Sequence, residues 1–150
     1  GPFLMMMFAI FEVAISFVAG SELDAATQKA ARQIMTGQIQ MAKKDAAQFK
    51  KIICGSLHMF KCEDLDVDVQ SYSGFGGADV DPPVEDGNYV KKNNWSPGKA
   101  GEIVVVRTAY RWPVFVSSLG GLSLGLGNVD GNSKQLLVST ATFRNEPGPF

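Results

Sequence analysis

The chain has one histidine and two cysteines in 150 residues. That is too little for a structural zinc site, which takes four Cys or His ligands. A Ser-His-Asp enzyme would rest wholly on His58, and no nucleophile, base and orienting group can be read around it. His58 is expected to be a partly exposed structural residue. A basic surplus is also missing: 14 Lys and Arg face 15 Asp and Glu, for a formal net charge of −1. Binding to nucleic acid by phosphate neutralisation needs a basic excess or stripe, so that partner is not expected. Neither GxGxxG nor a Walker pattern occurs, which leaves no phosphate cradle. The expectation is no enzyme, no cofactor and no metal site. Charged residues make up 19% and hydrophobic ones 45%, which excludes wholesale disorder. Proline is absent from residue 3 to residue 80, so nothing there removes a helical N–H.

What is present is spread unevenly. Residues 2–20, PFLMMMFAIFEVAISFVAG, carry a single charge, Glu12. As a helix they span about 29 Å, close to the hydrocarbon thickness of a bilayer. They are apolar all round and have no solvent face. A cleavable signal peptide would show a basic n-region and a small-residue cleavage site. Neither is clear, and the chain continues as helix. A buried core helix would need wrapping on every face, beyond the means of the roughly 100 residues left for a domain. The segment therefore reads as a membrane or filament-core helix, with Phe3, Leu4, Phe8, Phe11, Glu12, Ile15 and Phe17 as its core positions. Gly1 and Pro2 read equally as a native start or as the scar of a cleaved tag. Glu22 and Asp24 follow the segment before the first basic residue, Lys29. By the positive-inside rule the rest lies outside the cytoplasm. A carboxylate at mid-bilayer costs about 2.5–3.5 kcal/mol on insertion scales. Glu12 either protonates or snorkels without a role, or pairs with an amine of another subunit.

From Ser21 the pattern turns amphipathic. Leu23, Ala26, Ala30, Ile34, Met41, Phe49 and Ile53 fall at helical spacings, so the helix is expected to run on to Ile53 with Gly55 as terminator. Gly37 costs about 1 kcal/mol against Ala and marks a bend. A continuous helix of about 50 residues would reach some 75 Å and would have to project from the domain. Ala26, Ala30, Ala31, Ala42 and Ala46 either admit a neighbouring backbone or simply favour helix. Cys54 and Cys62 enclose seven residues. In a cytosolic chain they read as free thiols; outside the cytoplasm the default is one disulfide, worth roughly 2–3 kcal/mol, pinning the helix end to the first strand. The spacing is not CxxC, so a thioredoxin-like role is not expected.

After Cys62 the period changes to two. Leu65, Val67 and Val69 alternate with Asp64, Asp66 and Asp68, a strand with an acidic wet face; this alternation explains the acidic run without calcium. Residues 74–101 are rich in Gly, Pro, Asn and Asp and read as turns, with Tyr89 and Trp95 anchoring them. Residues 101–115 form the strongest strand, where Pro113 implies an edge or bulge. The Gly-Leu stretch with Leu119, Leu122, Leu124 and Leu126 either offers a sticky contact or packs over the sheet. Residues 128–132 read as a hairpin turn, since glycine is misplaced for an EF-hand. The last strand covers 134–146. The fold class is α+β: a long projecting N-terminal helix, then three or four antiparallel strands. The units are 1–20, the apolar helix; 21–54, its amphipathic continuation; and 55–150, the sheet domain. Possible surface contacts are Tyr89, Trp95, Trp112, Leu122 and Leu124.

Four pieces of the chain carry a resemblance: Pro-Phe-Leu at residues 2–4, Phe-Glu-Val at 11–13, Ala-Thr-x-x-Ala-Ala-Arg at 26–32 and Thr-Gly-Gln at 36–38. With the Cys pair and the closing Arg-Asn-Glu-Pro at 144–147, they resemble the TadE/TadG-like family of tight-adherence (type IVc) pilus proteins, in its alphaproteobacterial form. The likeness is good over 2–72 and 102–147 and poor through the central loop. It implies a pilin or pseudopilin, held in the bacterial inner membrane with a periplasmic domain, then assembled with identical or related subunits by pilus machinery into an extracellular filament. Members of this group carry a processing site and a glutamate upstream of the proline, so Glu12 is not equated with that glutamate. The alternative from another class is a membrane-anchored periplasmic adhesive module that forms no filament.

Overall fold

Pro2 sets the fixed φ of a helix start, and of the two glycines that follow, Gly20 is carried within the helix while Gly37 breaks it. In the computed structural model, which describes residues 1–115 and 134–150, helix α1 spans Pro2–Met35. Its buried residues are Ser16, Ala19, Leu23, Ala26, Thr27, Ala30, Ala31 and Ile34. That is one stripe at three- and four-residue intervals, as an α-helix laid on a sheet requires.

The helix does not run on to Ile53. Thr36 closes α1, and Gly37 takes a left-handed φ of +75°, a conformation that costs a side-chain-bearing residue about 1–2 kcal/mol. One turn follows, α2 at Gln38–Met41, and then α3 at Ala46–Cys54. Asp45 starts α3 with a capping box: its Oδ1 accepts from Gln48 N at 2.8 Å, and Gln48 Oε1 accepts from Asp45 N at 3.1 Å. The break resets the helical phase. Ile39 is buried and Met41 is exposed, the reverse of what an unbroken helix would give Met41. Phe49 and Ile53 keep their expected burial and join Leu23 and Ile34 in the core. The chain thus folds back beside α1, and the expected 75 Å projection shrinks to the first half of α1. Cys54 ends α3 and is disulfide-bonded to Cys62, with Cα atoms 5.7 Å apart. Cys62 opens the 3-10 turn leading into the first strand.

The strands are β1 (Leu65–Tyr72), β2 (Val84–Glu85), β3 (Asn88–Tyr89), β4 (Ile103–Pro113) and β5 (Lys134–Arg144). Among the described residues, β1, β4 and β5 form one antiparallel sheet in the order β1-β4-β5, and β2 pairs with β3. Leu65, Tyr110 and Leu137 lie on one line across the sheet. Residues 103–110 of the central β4 are all buried, in keeping with the continuous apolar run from Ile103 to Val106, and they include the polar Arg107 and Thr108. Pro113 pairs with Lys134 but lies beyond the reach of β1, whose last partner on β4 is Tyr110. Its missing N–H therefore costs no ladder bond there.

Alternate residues point to two faces. Leu65, Val69, Val104, Val106, Leu137 and Ala141 meet the helices. Ala26, Ala30 and Ala31 let the chain's own sheet approach α1, whereas Ala42 and Ala46 are exposed. The opposite face corrects the expected acidic wet face: Asp66 and Asp68 are buried. The 79–95 segment covers them and supplies their partners. Lys91 Nζ lies 2.7 Å from Asp66 Oδ1. Asp68 Oδ1 accepts from Asn94 N and Nδ2 at 2.8 and 2.9 Å. Arg107, buried beside them, donates from Nη2 to the Asp79 carbonyl at 3.0 Å.

Candidate assembly surface

Among the described residues, none of the first fourteen helical residues of α1 is buried. Burial begins at Ser16 and Ala19, where the end of β4 and the start of β5 come alongside. Before that point Phe3, Leu4, Phe8, Phe11 and Ile15 are exposed; Phe3 retains 75% of its accessible surface, and Phe17, just past it, 77%. This is a contiguous band of large apolar side chains along a helix about 21 Å long, with Ala9 and Glu12 half-buried within it. Surfaces of that kind on soluble monomers mark contacts with membrane or protein. By length and composition α1 can cross a membrane.

Glu12 sits within this band. Its carboxylate accepts a hydrogen bond from the backbone N–H of Phe115, just past β4. The sequence left Glu12 either protonated or snorkelling, or paired with an amine of another subunit; the structure gives the carboxylate a partner within its own chain. Nothing in local spacing signals a bond across 103 residues. Glu12, Val13, Ser16 and Phe17 also line a cleft of about 600 Å³ against Val114, Gln135 and Leu137.

Below the band, α1 is tied down by polar contacts. Ser139 Oγ donates to Asp24 Oδ1 at 2.7 Å. Thr27 Oγ1 donates to the Leu23 carbonyl at 2.8 Å and lies 2.7 Å from Thr108 Oγ1. Glu22 Oε1 accepts from His58 N at 2.8 Å and lies 2.9 Å from His58 Nδ1, fastening the disulfide loop to α1. Burial works against the Glu22 charge, but the N–H groups of His58 and Met59 and the His58 ring outweigh it and hold the carboxyl below its usual 4.5. His58 itself is exposed.

The other candidate residues do not converge. Trp95 stacks on Phe49 with ring centroids 5.3 Å apart and bridges Val69. Trp112 packs edge-on to Phe60 at 5.5 Å, and Phe60 in turn meets Tyr110 at 4.7 Å. Tyr89 lies under Arg111, whose guanidinium carbon is 5.9 Å from the ring centroid. Burial, and then the Asp66 carboxylate, push the Tyr89 hydroxyl well above its usual range. Leu119, Leu122, Leu124 and Leu126, and the turn at 128–132, lie outside the described residues. Among the described residues no three His, Cys, Asp or Glu side chains gather where they could hold a metal ion.

Comparison of the chain with protein-family models, with curated proteins and with solved structures finds no match. The architecture itself is pilin-like: a long N-terminal apolar helix followed by a small antiparallel sheet. The apolar helix is suited to membrane anchoring or to a signal, and the disulfide points to an extracytoplasmic domain.

Proposed function

We propose that this chain is a non-catalytic structural subunit of a tight-adherence-type pilus, related to the TadE-like proteins whose motifs it resembles. It waits in the inner membrane through residues 2–20, with the sheet domain in the periplasm. Assembly machinery then lifts it into a filament, where the same segment packs against the helices of identical or related subunits. The physical logic is an exchange of apolar surroundings, lipid before assembly and other helices after. The observation that carries this reading is the band of exposed Phe, Leu, Met and Ile at the front of α1, which the described residues of the domain leave uncovered. Glu12 limits the permitted stagger between helices, because its carboxylate must keep a partner in a dry core.

Electron microscopy of surface material sheared from producing cells, with labelling specific to this chain, tests the proposal. The chain is expected along helical fibres. Recovery only in membrane fractions, with unlabelled fibres, would favour a membrane-anchored module that forms no filament.

A further inference from the structure

Among the described residues the sheet has two edges, β5 along its length and β1 at residues 65–67, with no backbone partner. β5 is an edge strand of eleven residues, about twice the usual strand length. Among the described residues no backbone hydrogen bond reaches its outer side. Natural edge strands are blunted by lysine, proline, bulges or inward charges. Residues 135–143 of β5, QLLVSTATF, contain no proline and no charge. The other edge is β1. Among the described residues its outer backbone is bonded at Val69 alone, through Asn94 O and Ser96 N at 3.0 and 2.9 Å. Beside residues 65–67 a cleft of about 220 Å³ opens between Lys50 of α3 and Asn93.

Direction decides how two copies can use these edges. β5 runs the same way as α1: Gln135 and Leu137 lie by Ser16 and Phe17, Ser139 bonds Asp24, and Phe143 lies by Ala31 and Met35. Helix residues 16–34 and strand residues 135–143 each cover about 26–27 Å. β1 and β5 are both antiparallel to β4 and therefore parallel to one another. Copies whose α1 helices enter one membrane or one filament in the same sense hold all their β5 strands in that sense. A symmetric β5-to-β5 pair would be antiparallel and would turn the two α1 helices head to tail. Pairing of β5 with the β1 edge of a like-oriented neighbour keeps them aligned. The ends match in charge: Lys134 opens β5, while exposed Glu63 and Asp64 precede β1. Extending the register across the sheet sets Lys134 level with Cys62, next to Glu63.

We infer that the outer edge of β5 is a strand-pairing interface that takes a second copy of this chain, by the β1 edge at residues 65–67 and the adjoining 93–96 segment, in parallel. The inference rests on the assembly reading for the common direction of the copies. The result is a head-to-tail sheet that continues from subunit to subunit around the helical core.

The test places the photo-crosslinking residue p-benzoylphenylalanine at Thr140, which is exposed on the back of β5, in the full chain within producing cells. After irradiation, the expected product has twice the chain mass, with position 140 joined to residues 64–68 or 93–96 of the second copy. Joining to β5 of the second copy, or no doubled product, overturns the inference. Lys134→Glu and Glu63→Lys should each lower the yield of the doubled product several-fold, and the two together in one chain should restore it. Failure of the pair to restore it also overturns the inference. Filaments that form without the product remove strand pairing and leave the assembly reading intact. The product in cells without filaments does the opposite.

Discussion

Thr27 and Thr108 place their hydroxyl oxygens 2.7 Å apart in the dry layer between α1 and the sheet, 81 residues distant in sequence. Thr27 donates to the Leu23 carbonyl, so the proton between the two threonines comes from Thr108. The two partners are therefore unequal. Thr27→Val leaves the Thr108 hydroxyl without an acceptor and is expected to cost about 1–3 kcal/mol. Thr108→Val leaves Thr27 its carbonyl and costs less, under about 1 kcal/mol. The paired variant should be more stable than Thr27→Val alone, because no hydroxyl is orphaned. Chemical denaturation of the four proteins in detergent measures this cycle; strictly additive losses would contradict the assigned donor.

Gly37→Ala attacks the turn that ends α1. The residue holds φ at +75°, and a Cβ there would fall 2.3 Å from the Phe150 ring. The backbone alone should cost about 1–2 kcal/mol, or several degrees in Tm for a chain of this size. Adding Phe150→Ala relieves the collision but not the backbone, so it should recover only part of the loss. An unchanged midpoint in Gly37→Ala would show that the turn does not hold the fold.

Local signals carried most of the fold. Leu23, Ala30 and Ile34 at helical spacing, the period of two from Leu65 to Val69, and the placing of Cys54 and Cys62 at an element boundary all express forces acting within a few residues. The α+β class follows from them. What stayed hidden depends on partners far along the chain. Gly37 reads as a bend, but the size of the reversal is set with Phe150 packed against it. Alternation puts Asp66 and Asp68 on one face correctly, yet only the arrival of Lys91 and Asn94 over that face buries them. The exposed front of α1 was legible because no residue pattern nearby offers a cover for it. The bond from Phe115 to Glu12 was not, since neither residue's surroundings in sequence point to the other.

The link between Glu22 and His58 predicts how stability depends on pH. The folded-state pKa of Glu22 is depressed, so its contribution is complete above the unfolded value near 4.5 and is lost as pH falls through the lower folded value. Glu22→Ala should lower stability by about 1–2 kcal/mol at pH 7. The gap to the parent protein should close as the pH is lowered past 4.5. Unfolding curves of both proteins at neutral and acidic pH check this; a gap that persists unchanged in acid would contradict the assignment.

Glu12→Ala separates insertion from assembly. Removing a carboxylate from an apolar helix makes entry into the bilayer easier, so extraction of the variant from membranes by alkaline carbonate should be no greater than for the parent. Its link to Phe115 and its pairing in the helix core are both lost, and filament yield on electron micrographs should fall. Normal yield would remove the role assigned to this side chain.

The most direct test of the whole account is sedimentation of the full chain with and without detergent. With residues 2–15 serving as an intermolecular surface, the protein should be monodisperse in detergent and should associate or precipitate when detergent is withdrawn. A stable monomer in water, with those residues folded onto its own domain, would contradict the central claim.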